Sequence, residues 1–322
     1  MADSELYDVI IIGGGPAGLA AGLYARRAAM KTVLIERASF GGQVSITKGV
    51  ENYLGIEEIG GYELAEKFLQ HASSYDLEIV REDAEALEPG EEHHTVRLSN
   101  GTELRAHAVL LATGGVPRKL NVPGEKRFLG KGVSYCAKCD GLFFRDQTVV
   151  VVGGGDSATE ESIYLAKIAR HVHVVTNESS LRASKLLQQH LLNECNVSLY
   201  VSSTISEIKG DGAGVSSVML RDVETGASRE LPTDGIFIFI GLHPNNQLVP
   251  ETIRKTPGGY VVTNEKRETS IPGIYVVGDL RRKYANQIVI AVADGCIGAL
   301  AAAQYVEMRK EERRYCEMPT AA

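Results

Sequence analysis

Short, continuous apolar runs alternate along the chain with stretches whose apolar residues recur at helical spacing. The run from Asp8 to Ile12 suits a strand covered on both faces of a sheet. A glycine turn follows, then a helical pattern through Leu19, Leu23 and Tyr24 to Arg27, then a strand-like run from Thr32 to Ile35. Glu63 to Ser74 has the spacing of an amphipathic helix. Strands are predicted at Leu77 to Arg81 and Thr95 to Leu98, with Ser99-Asn100-Gly101 as a hairpin turn. Ala108 to Ala112 is a further apolar strand ending at Thr113-Gly114-Gly115, and Val116-Pro117 and Val122-Pro123-Gly124 punctuate a linker. The order then begins again. Thr148 to Val152 predicts a strand, a helix runs to Arg170, Val172 to Val175 predicts the next strand, and a meander leads to a strand over Gly235 to Ile240. Gly241 to Asn246 reads as a return linker, Ile274 to Val277 as a strand, and Ile288 to about Arg309 as the last helix, followed by a charged, solvated tail.

The turns after two of these strands carry specific chemistry. Gly13-Gly14-Gly15-Pro16-Ala17-Gly18 matches G-x-G-x-x-G. Its glycines allow a tight turn and close backbone approach to a pyrophosphate, whose charge the following helix N-terminus stabilises. Glu36, 23 residues after Gly13, stands where an acid accepts hydrogen bonds from an adenosine ribose. Gly153-Gly154-Gly155-Asp156-Ser157-Ala158 repeats the design 140 residues later, with alanine in the third slot. A whole nucleotide-binding unit is therefore repeated. The fold class reads as α/β, with two Rossmann-like three-layer nucleotide-binding domains. The acid slot of the second copy falls on Thr176, followed by Asn177 and Glu178, with no arginine cluster to hold a ribose 2′-phosphate. Glu178 meets a 2′-hydroxyl if the strand end shifts by two residues.

Two further loops keep alternative readings. Phe40-Gly41-Gly42-Gln43 suits a loop pressed against a flat ring system, or plain turn chemistry. Gly278-Asp279, at a strand's C-terminal end, lets backbone approach a phosphate or polyol while the carboxylate takes hydroxyls, or is a simple turn.

Composition narrows the function classes. The 322 residues suggest two domains. A net charge of −7 lacks the basic face that nucleic-acid binding needs. Five cysteines are too sparse for a secreted disulfide scaffold. The start, MADSELYDVI, shows no basic segment followed by an apolar one, so no signal peptide is expected. The apolar run from Ile288 to Val306 is broken by Asp294 and Gln304. It reads as a helix packed on a neighbour or a second subunit, not a transmembrane segment. A cytoplasmic protein is expected.

Cys136-Ala137-Lys138-Cys139-Asp140 stands just ahead of the second strand–glycine–helix unit. Two cysteines at this spacing close a small disulfide, and an acid after the second can move protons during exchange. The competing reading is half of a zinc site, but zinc wants four ligands. Cys195, Cys296 and Cys316 are single and far apart, without histidines at ligand spacing. A redox pair is the better reading, with Cys195 and Cys296 as helix packing residues and Cys316 as an exposed tail thiol.

These features together resemble the low-molecular-weight thioredoxin reductases of the flavoprotein disulfide reductase group. The resemblance runs from about Tyr7 to Tyr305 and is most specific at Gly132-Val133-Ser134-Tyr135-Cys136-Ala137-Lys138-Cys139-Asp140-Gly141, at Gly41-Gly42-Gln43 and at Gly278-Asp279. It implies FAD held by Gly13, Gly15, Pro16, Ala17, Gly18, Glu36, Arg37, Gly42, Gln43, Asn52, Ala84, Thr113, Gly114, Gly278, Asp279, Asn286, Gln287 and Ile288. It also implies that Cys139 faces the flavin, that Cys136 attacks the protein substrate's disulfide, and that Asp140 is the acid/base. The implied organisation is an FAD domain split into 1–117 and 245–322, a redox domain at 118–244 that rotates about the two linkers, and a homodimer. The implied partner is thioredoxin or a thioredoxin-like protein.

One departure bears on the electron donor. The family's His-Arg-Arg followed four residues later by Arg aligns with Thr176-Asn177-Glu178 and Arg182. A 2′-phosphate facing Glu178 loses a charge-assisted pair and gains a repulsion, which argues against NADPH. Gly153, Gly155, Asp156, Ser157 and Ala158 still offer a cradle for a second dinucleotide, NADH or FAD. The loss is similar to that in ferredoxin-dependent flavin thioredoxin reductases and diflavin-linked disulfide oxidoreductases. Ferredoxin is accordingly a candidate donor. Three readings compete: a flavin-to-disulfide reductase, a thiol-to-flavin enzyme running the other way, and a non-catalytic flavin redox sensor. The tail keeps two readings: a solvated segment, which the looseness of chain termini favours, or, on this resemblance, one whose Tyr315 folds over the flavin face where a nicotinamide would stack.

Overall fold

The computed structural model describes residues 6–47 and 49–317, with the side chains of Cys139 and of residues 315–317 outside that description. The chain divides into two compact units, Met1–Val116 with Pro244–Ala322, and Pro117–His243. The first segment supplies β1 (Leu6–Ile12), α1 (Pro16–Arg27), β2 (Thr32–Ile35), α2 (Gly61–Ser73), β3 (Glu78–Val80), β4 (Ala84–Glu88), β5 (His94–Leu98), β6 (Glu103–Leu111) and β7 (Gly115–Pro117). The inserted segment begins with β8 (Val133–Ser134), α3 (Ala137–Asp140), β9 (Thr148–Val152), α4 (Asp156–Ala166), β10 (His171–Val175), α5 (Lys185–Leu192) and β11 (Val197–Tyr200). It continues with β12 (Ser203–Gly210), β13 (Val215–Asp222), β14 (Ser228–Pro232) and β15 (Gly235–Ile238). The return carries β16 (Leu242–Pro244), β17 (Ile274–Val276) and α6 (Ile288–Glu317). Strands β7 and β16, on the two connecting segments, pair as a two-stranded ladder.

The main sheet of the first unit has the order β3-β2-β1-β6-β5-β4, with β17 also on β6. Strand β1 pairs in parallel with β2 and β6. Its alternate residues enter different cores, as a pleated strand requires. Val9 and Ile11 face α1, α2 and α6, whereas Ile10 and Ile12 face a core with Leu87, Val96 and Val261. The second unit holds the parallel sheet β11-β10-β9-β15-β8. Val149 and Val151 pack under α3 and α4, while Val150 and Val152 pack under the antiparallel sheet β12-β13-β14. Both units are thus three-layered, and both are Rossmann-like.

Several expected boundaries shift. The helix expected to reach Arg170 ends at Ala166, and the strand expected to reach Ile240 ends at Ile238. The larger correction is at the C-terminus, where the charged segment is not a solvated tail but a continuation of α6 to Glu317. No glycine follows Gly298 and the first later proline is Pro319, so nothing breaks the helix. Its polar end is also held: Lys310 pairs with Asp8 at 2.6 Å, Arg309 donates to the Glu91 carbonyl at 2.7 Å, and Arg313 pairs with Glu92 at 2.9 Å. Helix α6 is long and apolar enough by composition to cross a membrane, yet it packs along α1. A Cβ on Gly295 would lie 2.0 Å from the Ala17 carbonyl oxygen.

Candidate active site

The first glycine turn is dictated by packing. Gly13 has φ +112°, and a Cβ on Gly18 would lie 1.8 Å from the Gly13 carbonyl oxygen, so strand and helix meet closer than any side chain permits. Pro16 opens α1, where its missing N–H costs nothing. Gly15, the residue preceding the helix, has open space where its Cβ would be. This is the cradle a dinucleotide pyrophosphate fits. Glu36 lies at its edge, accepting from the Gly14 N–H at 2.6 Å and the Ala38 N–H at 2.8 Å. Arg37 points away to Asp83, at 3.4 Å.

The remaining expected FAD residues of the first unit gather from distant parts of the chain. The Gly41 N–H donates to the Gly14 carbonyl at 2.9 Å, which seats the Gly42–Val44 turn against the glycine loop. Gln43 donates to the Gly115 carbonyl at 3.2 Å. Asn52 donates to Gln287 at 3.2 Å across 235 residues of sequence. Asn286 precedes α6, and Ile288 packs on the small core of Val44, Val50, Ile59 and Leu64. Thr113 donates to the Asn245 carbonyl at 2.7 Å, and the Gly114 carbonyl accepts from the Asn245 N–H at 2.9 Å. Ala84 is buried at the start of β4.

Gly278 and Asp279 form a single 3-10 turn after β17. Asp279 pairs with Lys283 at 2.6 Å, and the Lys283 side chain is 4% exposed, so this ammonium is withdrawn from water. Asp294 of α6, 1% exposed, anchors the same turn from below. It accepts from Arg267 at 2.8 Å, from Arg281 at 3.3 Å and from the Gly278 N–H at 3.2 Å. Burial lowers the Arg281 pKa, and the Asp294 charge opposes that shift. Lys283 and the Asp294 cluster escaped the sequence reading. A charged residue inside the apolar pattern of α6 was their one visible signal.

In the second unit Cys136 is half-buried and disulfide-bonded. The Cys139 side chain, the other expected member of the redox pair, lies outside the described residues. Cys136 follows β8, where its N–H donates to Ser134 Oγ at 3.0 Å and its carbonyl accepts from Ser134 Oγ at 3.1 Å. The Asp140 N–H donates to the Cys136 carbonyl at 3.2 Å, closing the one turn of α3. Ala137 is buried against Ala158 and Leu165 of α4. Lys138, between the cysteines, pairs with Glu161 of α4 at 2.9 Å, both side chains 13% exposed.

Asp140 reaches the wall of a cavity of about 500 Å³ that is also lined by Lys131, Phe143, Gln147, Asp211 and Asp234. Leu142 and Phe143, just after the redox motif, are exposed. Cys296 is on α6 as expected, but Cys195 is not a helix packing residue: it is exposed in the turn between α5 and β11. The side chains of Tyr315 and Cys316 lie outside the described residues.

The second glycine turn resembles the first with one relaxation. Gly153 has φ +144° and Gly155 is open, but the third slot tolerates the Cβ of Ala158. Thr176, 2% exposed, fills the space beside Gly154. The loop after β10 folds back on this turn, with the Arg182 N–H donating to the Gly154 carbonyl at 2.7 Å and the Ser184 N–H to Asp156 at 2.8 Å. Ser157 is exposed on the first turn of α4. Glu178 and Arg182 lie 3.7 Å apart.

Comparison with known proteins agrees with this geometry. Residues 7–295 match the pyridine nucleotide-disulphide oxidoreductase family. A thioredoxin reductase of Bacillus subtilis is 42% identical over 97% of this chain and 98% of its own length. The crystal structure of Lactococcus lactis thioredoxin reductase has a TM-score of 0.91 at 39% identity, covering 94% of this chain and 99% of that one. A ferredoxin-flavin thioredoxin reductase from Clostridium acetobutylicum has a TM-score of 0.51 at 30% identity, covering 94% and 99%. The paired glycine turns, the Cys136 disulfide and these full-length likenesses together mean that the chain belongs to the pyridine nucleotide-disulphide oxidoreductase family, among the low-molecular-weight thioredoxin reductases, and is a flavoprotein disulfide oxidoreductase.

Proposed function

We propose that this chain uses FAD to reduce a Cys136–Cys139 disulfide and passes the electron pair to thioredoxin or a thioredoxin-like protein. The observation that carries this reading is the disulfide-bonded Cys136 immediately before the one-turn helix α3, with Asp140 at a cavity wall and Leu142 and Phe143 exposed just after it. The unit formed by Met1–Val116 and Pro244–Ala322 holds the flavin, and Pro117–His243 carries the redox pair. Bound FAD supplies two electrons to the disulfide. Cys136 then attacks the partner's disulfide, and Asp140 protonates the departing thiolate. Cys139 attacks the mixed disulfide, which frees the reduced partner and restores the enzyme's disulfide. The exposed Leu142 and Phe143 give an apolar partner surface somewhere to dock. The working protein is a cytoplasmic homodimer.

The donor in this reading is not NADPH, and ferredoxin is the candidate. In the acid slot, Thr176 is buried, Asn177 follows, and Glu178 engages the one arginine, Arg182. Such an exposed pair is weak in itself, but its carboxylate repels a 2′-phosphate. Gly155, with open space at the start of α4, supports the second reading that NADH or another FAD occupies this cradle.

Anaerobic titration with NADPH, NADH and reduced ferredoxin tests the donor. Ferredoxin should bleach the flavin and NADPH should not, so rapid bleaching by NADPH would reject the donor assignment. Two flavins per chain would favour the diflavin route, with electrons running from thiols to flavin. Reduction of a thioredoxin distinguishes the reductase from a redox sensor, which gives no turnover. In a Cys136→Ser variant, the remaining Cys139 thiolate should perturb the flavin spectrum, and in Cys139→Ser that perturbation should be absent. Equal spectra would overturn the two cysteine roles.

A further inference from the structure

We propose that Lys138 and Glu161 form a charge-compensating pair that sets the acidity and reduction potential of the dithiol produced from the Cys136 disulfide. The inference rests on the reading of Cys136 and Cys139 as the working redox pair. Lys138 is the one ionisable residue between the two cysteines. Its ammonium does not extend into water: it meets the Glu161 carboxylate at 2.9 Å, and each side chain is 13% exposed. The pair bridges α3 to α4, whose contact is completed by buried Ala137 against Ala158 and Leu165. The ammonium is therefore carried by the single turn that starts directly after Cys136, in a site where water screens little.

The sign of its effect follows from which redox state is charged. The disulfide is neutral, whereas reduction creates thiols that ionise. A nearby cation favours the thiolate, lowers the thiol pKa and makes the disulfide more oxidising. A nearby carboxylate does the reverse. Lys138 alone would push the couple in one direction and Glu161 alone in the other. Paired at 2.9 Å, the two opposite charges compensate one another beside the motif while their contact holds α3 against α4. Lys138 and Glu161 are positioning residues in this scheme and exchange no electrons themselves.

The test is a charge-neutralisation double-mutant cycle on the full-length flavoprotein. Lys138→Met, Glu161→Gln and the double variant are equilibrated with glutathione buffers, and trapping of Cys136 reports its disulfide fraction. The pH dependence of alkylation by iodoacetamide reports the thiol pKa. Glu161→Gln should lower the thiol pKa and shift the exchange equilibrium toward the dithiol about tenfold, which is about 30 mV. Lys138→Met should shift both in the opposite sense, and the double variant should return near the parent. If Lys138→Met or Glu161→Gln does not fold, Lys138→Arg and Glu161→Asp keep the charges and should stay within about twofold of the parent. Single variants that move in the same direction or not at all would overturn the proposal, as would charge-preserving variants that shift by tenfold. Failure of the underlying reading looks different. In that case Cys136→Ser would keep reducing thioredoxin, whatever the cycle shows.

Discussion

Tyr135 donates its phenolic hydrogen to Glu125 at 2.5 Å, one residue before the disulfide-bonded Cys136. Glu125 is 5% exposed and also accepts from the Leu120 and Asn121 N–H groups, at 2.8 and 2.6 Å. One buried carboxylate thus ties the strand that delivers the disulfide to the segment that enters the second unit. Burial, then the Glu125 hydrogen bond, raises the Tyr135 pKa well above that of a free tyrosine. Tyr135→Phe should cost about 1.5–3 kcal/mol, the range for a hydrogen bond to a charged group. It should leave the tyrosinate absorbance gained between about pH 9 and 11 unchanged, because Tyr135 does not ionise there. Loss of one tyrosine from that titration would contradict its burial.

Asp294→Asn should be far more damaging than a surface change of the same charge. It leaves Arg267 and Arg281 without their buried acid and weakens the Gly278 anchor. The expected cost is about 3–5 kcal/mol in unfolding midpoint analysis, accompanied by loss of bound flavin. Lys310→Met, which breaks the more exposed pair to Asp8, should cost about 1 kcal/mol or less.

The two glycine turns should respond very unequally to exchange of their third residues. Gly18→Ala puts a methyl 1.8 Å from the Gly13 carbonyl oxygen, and the purified variant should be nearly colourless at the flavin maximum. Ala158→Gly removes a methyl that fits and should cost about 1 kcal/mol. Full flavin content in Gly18→Ala would mean that α1 moves away from β1 at little cost.

His173 gives the second unit an acid-sensitive element. Burial, then the nearby His171 and Arg229 charges, depresses its pKa from 6.5 to about 4. Between those values the unfolded chain binds the proton and the folded one does not. The associated stability is present above the unfolded pKa and is lost as pH falls toward the folded one, by roughly 1–3 kcal/mol. Burial lowers His94 and His107 in the same direction in the first unit. Urea midpoints at neutral and acid pH should converge more for His173→Leu than for the parent. A steeper loss in the variant would refute the sign.

Donor choice should be convertible at the end of β10. Replacing Asn177 and Glu178 by arginine supplies guanidiniums and removes a repulsion, so NADPH-dependent flavin reduction should rise about 10- to 100-fold. Stopped-flow absorbance checks this. A variant that gains nothing would mean that the cradle itself excludes the nicotinamide dinucleotide.

Much of this molecule was written in local patterns. The strands Thr32–Ile35 and Thr148–Val152 end where their apolar runs end. The two glycine turns declared two Rossmann-like units, and Cys136-Ala137-Lys138-Cys139 raised the expectation of a redox pair, because each depends on residues a few positions apart. Helix α5 and strand β4 were less legible, since their apolar residues take their period from neighbours remote in sequence. The end of α6 runs past the point local pattern indicates because Asp8, Glu91 and Glu92, which hold Lys310, Arg309 and Arg313, are remote in sequence. Local pattern therefore carried the two-unit architecture and the departure at Glu178. Which charges neutralise one another emerges from the folded chain: Lys138 with Glu161, Asp279 with Lys283, and Asp294 with two arginines. The physical reason is that a charge withdrawn from water must meet its partner in space, and the fold alone sets that distance.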